Sequence, residues 1–300
     1  MRIFVTGGTG YIGTAVVRTL LRAGHSVTGL ARSKEGSAHL QALGAQAVVG
    51  TLQTPATYQA SAQAQDASVH LGFESGGDAA SADLSAVETL LAAAQGAGRP
   101  YVVVYTSGVL VLGSAGPSAA YEDASTENAV FNTWRPLHER LVLGANSKAV
   151  ATVVIRPGWV YGGRGGLVAG YFESAVKEGA AAFVGDGRNR MPLVQREAIA
   201  ELYRLALELR ATGVLHGVED GAGRVADYAA AASRAAGRDG AVRRIPLPEA
   251  LRTLGPFAAA MCVDQWVGSC RAQTLGWTPG PTFLSSAADA FAEWKRADTP

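Results

Sequence analysis

Arg2-Ile3-Phe4-Val5-Thr6-Gly7-Gly8-Thr9-Gly10-Tyr11-Ile12-Gly13 is the stretch whose reading decides the fold. A short apolar run ends in glycines spaced three apart, and Ile12, Val16, Leu20 and Leu21 then recur at helical spacing up to Gly24, a helix-ending residue. The pattern predicts a strand turning tightly into a helix. Such a turn brings backbone N–H groups and the positive helix end close to a pyrophosphate. Gly7 allows the turn, Gly10 leaves room for phosphates and Gly13 lets the helix approach the strand. Gly7, Gly10, Tyr11, Ile12 and Gly13 are therefore the first candidate cofactor contacts. The alternative is a glycine-rich turn without a ligand.

The next strand, His25 to Leu30, ends in Ala31-Arg32-Ser33-Lys34. A site for NAD usually places a carboxylate here to hold the ribose hydroxyls. This chain places Arg32, with Ser33 beside it. A guanidinium binds the extra phosphate of NADP bidentately and stacks on adenine, so the expected cofactor is NADP(H). The competing reading of Arg32 is a solvated basic turn.

Extended and helical segments alternate along the first half, as a doubly wound parallel sheet requires. Strands are expected at Ala47–Gly50, Ala67–Leu71, Tyr101–Thr106, Ala151–Ile155 and Gly213–Val218, with helices from about Asp83 and over Gln195–Leu209. Asp83 is expected to cap its helix. Gly162-Gly163-Arg164-Gly165-Gly166 reads as a mobile loop beside a ligand, and Gly185 to Arg190 as a second polar loop. The expected division is a nucleotide-binding domain of residues 1–161 plus about 192–218, and a lid of 162–191 plus 219–300. Trp159, Tyr171, Phe172, Phe183 and Met191 suit an apolar pocket or the lid's own core. Arg164, Arg188 and Arg190 suit an anionic substrate group or plain solvation.

Hydrophobic residues make up 48% of the 300-residue chain and charged residues 17%, ample for a buried core. The net charge of +1 without a basic block argues against nucleic acid as a partner. No apolar run is long enough to span a bilayer, and a strand starting at residue 2 leaves no room for a signal peptide. Cys262 and Cys270 are too few for a disulfide framework, and the five histidines do not pair at ligand spacing, so no metal is expected. The expected setting is cytoplasmic, as a monomer or homodimer acting on a small molecule.

With these motifs in place, the chain resembles the extended short-chain dehydrogenase/reductases, the group of the nucleotide-sugar epimerases and dehydratases. The resemblance rests on Thr6–Gly13, on Thr106-Ser107-Gly108 ending a strand, and on Arg156-Pro157-Gly158-Trp159-Val160-Tyr161-Gly162. It implies an α/β fold, a doubly wound parallel sheet of the Rossmann type with a small C-terminal substrate-binding lid. It also implies that Pro157, Gly158 and Val160 lie at the nicotinamide half of the cofactor, and that Thr106 and Ser107 adjoin it. Thr51-Leu52 matches the family's adenine-side Asp-Leu, and Leu71-Gly72-Phe73 its segment after strand four.

The catalytic positions depart from the pattern. The family's Tyr-x-x-x-Lys slot holds Phe131 and Arg135, and its Ser/Thr position holds Gly108 with Ser107 next door. Phenylalanine has no proton to give. Three readings stay open: an NADP(H)-dependent oxidoreductase of a small organic carbonyl with a non-standard proton donor, a non-catalytic NADP-binding redox sensor, and a sugar-nucleotide epimerase or dehydratase. In the first, Ser107 orients a substrate oxygen, Arg135 holds the ribose or a developing oxyanion, and Tyr161 is a candidate phenol. The plainer alternatives are a backbone-satisfied Ser107, a surface Arg135–Glu139 ion pair and a packing Tyr161.

Overall fold

The computed structural model describes residues 1–74, 78–114 and 116–297. Its strands are β1 (Arg2–Thr6), β2 (Ser26–Ala31), β3 (Gln46–Val49), β4 (Ala67–His70), β5 (Tyr101–Thr106), β6 (Val150–Pro157), β7 (Trp159–Tyr161), β8 (Ala181–Val184), β9 (Arg190–Met191), β10 (Leu193–Gln195), β11 (Gly213–Gly217), β12 (Gly223–Arg224) and β13 (Val242–Ile245). Its α-helices are α1 (Tyr11–Arg22), α2 (Lys34–Ala42), α3 (Gln59–Gln63), α4 (Ala79–Gly96), α5 (Arg135–Gly144), α6 (Gly166–Glu178), α7 (Arg196–Glu208), α8 (Val225–Ala235), α9 (Leu247–Leu254), α10 (Phe257–Ala260), α11 (Arg271–Thr274) and α12 (Phe283–Arg296).

Seven strands form one parallel sheet in the order β11-β6-β5-β4-β1-β2-β3. Parallel neighbours need crossover connections, and the helices supply them on both faces. Alternation along each strand explains the two cores. Ile3, Val5, Val102, Val104, Val153 and Ile155 share one cluster with Val16 and Leu20 of α1 and Ile199 and Leu202 of α7. Val103, Tyr105 and Val154 turn to the other face, with Leu91 of α4 and Val142 of α5. The order reverses between β1 and β4, which opens a crevice at the carboxyl ends of the strands, where ligands bind in such sheets.

The remaining chain packs over that edge. Helices α6, α8 and α12 enclose Phe172, Tyr228 and Phe283, and β8 pairs with β13 beneath them. The tail is not wholly in this lid. Ala272 and Trp277 join the sheet's own cluster, and the Trp277 indole donates to the Ala198 carbonyl at 2.7 Å. The expected lid segment 219–300 thus returns to the sheet part-way along, and its last three residues lie outside the described chain. No helix among the described residues is long and apolar enough to cross a membrane.

Asp83 is the main correction to the expected elements. Helix α4 begins at Ala79, so Asp83 lies inside it, 2% exposed, and caps nothing. Its carboxylate accepts from Tyr105 Oη at 2.9 Å and from His138 Nδ1 at 2.7 Å, with His70 Nε2 at 3.3 Å. Burial pushes this carboxyl up, but the bonds from His138 and His70 outweigh it and hold it below the usual carboxylate range.

A second buried carboxylate has the opposite balance. Glu219 accepts from the Phe283 backbone N–H at 2.9 Å and from Tyr228 Oη at 3.4 Å, and burial pushes its pKa up to about 7. With an unfolded value of about 4.3, only the native state holds this proton between roughly pH 4.3 and 7, so stability falls as pH rises through that window. Glu219→Gln removes the titration. Urea unfolding from pH 4 to 8 should move in the variant's favour by about 3 kcal/mol relative to wild type. Parallel pH profiles for the two proteins would disprove the assignment.

Candidate active site

A cleft of about 770 Å³ lies along the carboxyl edge of the sheet. The turns after β1, β4, β5 and β6 line it through Gly7, Gly10, Tyr11, Ile12 and Gly13, through Leu71, Gly72 and Phe73, through Thr106 and Ser107, and through Pro157, Gly158 and Val160. Arg32, Leu52 and Arg135 complete the set of expected residues that the fold gathers here. Ser33 and Thr51 adjoin it without lining it. The Ser33 hydroxyl caps α2 by accepting from Gly36 N, and Thr51 is bonded to Thr54.

The glycines explain how the turn closes. Gly7 has φ +70°, and a Cβ there would sit 2.6 Å from the Leu71 and Gly72 backbone. A Cβ on Gly13 would lie 2.0 Å from the Gly7 carbonyl oxygen. Gly10 is the N-cap of α1 and offers no side-chain cap, so the first N–H groups of the helix, on residues that line the cleft, have no partner from a capping side chain. Arg32 is exposed at the same edge and has no ion-pair partner among the described residues. An uncapped helix N-terminus and a turn that glycine alone makes without a clash fit the diphosphate of a nicotinamide dinucleotide, with the unpaired guanidinium at its adenosine end.

Tyr11 also fixes the glycine loop. Its hydroxyl donates to the Gly162 carbonyl at 2.8 Å, and its ring fills the space beside Gly165. The Gly162–Gly166 run is thereby tied to α1, and of its residues only Gly166 lines the cleft. Arg164 donates to the Ala297 carbonyl and lies over Trp294, and Arg190 pairs with Asp264 at 2.7 Å. Arg188 is exposed. None of the three arginines lines the cleft.

At the other end, β5 meets the start of α5. Pro136 occupies the first turn of α5, so the helix begins at Arg135 and Phe131 precedes it by one turn. Both residues line the cleft. Arg135 Nη1 donates to the Thr106 carbonyl at 3.0 Å and the Ser107 carbonyl at 2.6 Å, and its guanidinium lies over Phe73 and Trp134. The alternative partner, Glu139, is taken: it forms a buried two-point ion pair with Arg156 at 3.0 and 2.6 Å. Ser107 Oγ and Arg135 Nε are buried and have no hydrogen-bond partner. Ser107 is therefore not satisfied by local backbone. Tyr161 does not reach the cleft. It is 2% exposed, edge-on to Phe283 in the lid core, and burial pushes its phenol well above the ordinary value.

The family model for the NAD dependent epimerase/dehydratase family matches residues 3–217. The chain belongs to that family. Within this epimerase/dehydratase family it is an atypical extended short-chain dehydrogenase/reductase, because Phe131 stands in the tyrosine slot. An uncharacterized protein of Schizosaccharomyces pombe is 31% identical, over 97% of this chain and 100% of its own. A 4-hydroxy-2-methyl-3-oxo-4-farnesyl-3,4-dihydroquinoline-1-oxide ketoreductase of Stigmatella aurantiaca is 30% identical, covering 74% of this chain and 69% of its own. The crystal structure of the human epimerase family protein SDR39U1 with NADPH has TM-score 0.81 and 24% identity, with 97% of this chain and 99% of that one covered.

Sequence reasoning missed Thr9, Leu30, Glu74, Val109, Leu110, Val111, Asn132, Leu167 and Phe257 as lining residues. Thr9 lies within the glycine motif and was within reach of the same argument. Phe257 comes from the C-terminal tail, 126 residues after Phe131, and only tertiary closure brings the two rings within 5.5 Å.

Proposed function

We propose that this protein is an NADP(H)-dependent oxidoreductase acting on a small organic carbonyl. The single observation that carries the reading is the pair of buried, unpartnered polar atoms, Ser107 Oγ and Arg135 Nε, on two residues that line the end of the cleft away from Arg32. A buried polar atom without a partner is costly, and a ligand oxygen that reached either one would relieve that cost. The Stigmatella relative, named as a ketoreductase, supports the same class.

In this reading the N-terminus of α1 holds the pyrophosphate and Arg32 the extra phosphate. Leu52 lies against the adenine side, and Pro157, Gly158 and Val160 against the nicotinamide side. When bound, the dinucleotide supplies or takes up a hydride at the carbonyl carbon. Ser107 Oγ–H holds the carbonyl oxygen and passes it the balancing proton, which water returns to the serine. Arg135, fixed by the Thr106 and Ser107 carbonyls, places positive charge beside the oxygen as it gains negative charge. Without a phenol at Phe131, one proton-transfer contribution of about a hundred- to ten-thousand-fold is missing, so the reaction is slow rather than forbidden. The two cysteines are both free, in keeping with a reducing cytoplasm.

Phe131 itself favours a second reading, an NADP-bound sensor without turnover. NADPH oxidation against ketones and aldehydes separates the two. Ser107→Ala should lower kcat about a hundredfold with little change in NADPH affinity, and Arg32→Asp should weaken NADPH much more than NADH. Tight NADPH binding with no oxidation above background would leave the sensor. Equal losses for both coenzymes in Arg32→Asp would remove the NADP assignment.

A further inference from the structure

Resting on that reading, we propose that the substrate is an uncharged carbonyl compound with a flat, apolar body, seated against Phe131, Trp159 and Phe257. The three rings come from distant parts of the chain: the loop before α5, the start of β7 and the start of α10. Phe257 joins them, edge-on to Phe131 at 5.5 Å and tilted 48° to Trp159 at 5.7 Å. Aromatic groups prefer such offset and edge-to-face contacts at these separations. Rings that served only packing would be covered. Phe257 instead stays 39% exposed, and Phe131 and Trp159 are half-buried with surface on the cleft.

The lid core differs. Tyr171, Phe172, Phe183 and Met191 are buried there and none lines the cleft, whereas Trp159 packs against that core and also lines the cleft. The cleft lining also includes the aliphatic Val109, Leu110 and Leu167, with Asn132 as the polar neighbour of Phe131.

Charge disfavours the other classes. Among the described residues, the charged ones lining the cleft are Arg32, Glu74 and Arg135. Arg32 is committed to the cofactor, and Glu74 repels anions. Arg135 spends Nη1 on two carbonyls and its face on Phe73 and Trp134. Among the described lining residues Arg135 is then the one cation beside the substrate, with Nη1 already held and Nε left for a single oxygen, a poor match to a carboxylate or a second diphosphate. Ser107 Oγ and Arg135 Nε are each left without a partner, and either can donate to a neutral oxygen.

The test uses the full chain and equilibrium binding, so that it does not depend on turnover. Isothermal titration of 1-phenyl-1,2-propanedione, of the charged phenylpyruvate and of UDP-glucose is run with and without NADP⁺. The aryl diketone should bind at least about tenfold more tightly than either anion, and Phe257→Ala should weaken it about tenfold while changing the NADP⁺ Kd less than twofold. Phe257→Leu, which keeps apolar volume, should restore part of the loss. Circular dichroism confirms folding, which an exposed ring affects little. Binding of the aryl diketone without NADPH oxidation would end the reductase reading and leave this one standing. Tighter binding of either anion, or an aryl affinity indifferent to Phe257→Ala, would overturn the proposal even if small aliphatic ketones were reduced.

Discussion

Gly13→Val should lower NADPH affinity about a thousandfold or more, on the order of 4 kcal/mol, the largest binding effect of any single substitution in the chain. The reason is local and steric. A Cβ at Gly13 would sit 2.0 Å from the Gly7 carbonyl oxygen, 2.8 Å from the Gly7 carbonyl carbon and 3.0 Å from Gly8 Cα. All three are backbone atoms, so no side chain can swing aside. Helix α1 must withdraw, and the Gly7–Gly10 turn, closed by a 2.9 Å bond from Gly10 N to Gly7 O, must open. The N–H groups that would meet the pyrophosphate then lose their alignment. Gly13→Ala introduces the same Cβ and should lose nearly as much affinity with less damage to folding. That separates the steric account from simple destabilisation. Gly170→Ala is the control: it lies exposed inside α6 with nothing within 4 Å of the added carbon, and should be neutral or stabilising by about 0.5–1 kcal/mol. Calorimetric NADPH affinity retained in Gly13→Ala would remove Gly13 from the cofactor site.

The glycine turn was legible in the sequence because its constraint is written in single letters: only glycine tolerates φ +70° at Gly7 and a 2.0 Å approach at Gly13. The buried strands were legible for a related reason. Strands covered on both faces read as apolar runs, and Tyr101–Thr106 appears in the structure with the expected bounds. Asp83 was not legible. The first turn of α4, Ala79-Ala80-Ser81-Ala82, is built of small residues with little periodicity, so the sequence pattern marks the helix only from the first strong leucine stripe. An aspartate there has the same letter whether it caps a helix or sits in a core. Its donors, His70, Tyr105 and His138, come from β4, β5 and α5, and nothing local announces them. Tyr161 failed for the converse reason. The motif meets the cleft at Pro157, Gly158 and Val160, but alternation along β7 turns Tyr161 to the opposite side from Val160, into the lid against Phe283.

Asp83→Ala should cost about 3–5 kcal/mol of stability, the largest loss expected from any one polar side chain here. Removing the carboxylate leaves Tyr105 Oη and the rings of His138 and His70 facing an apolar gap between α4 and the sheet. Each buried polar group without a partner costs about 1–3 kcal/mol, and burial leaves no route to water. Because the folded carboxyl is held below its unfolded value of about 3.9, its contribution is complete at neutral pH and is lost only as pH falls below that value. Tyr105→Phe alone removes one donor and should cost about 1 kcal/mol. In the Asp83→Ala background the same change should be neutral or stabilising, because it deletes a hydroxyl that has already lost its acceptor. Additive losses in that cycle, or an Asp83→Ala protein within about 1 kcal/mol of wild type by urea unfolding, would refute the network. The effect should extend to the cleft. His70 Nδ1 lies 2.6 Å from Thr6 Oγ1, which accepts from Gly72 N at 3.1 Å, while His138 lies tilted against Trp134, the residue before Arg135. One carboxylate thus braces both the turn beside the glycine motif and the residues at the reacting end, so its loss should weaken NADPH binding and turnover together, where Ser107→Ala lowers turnover alone.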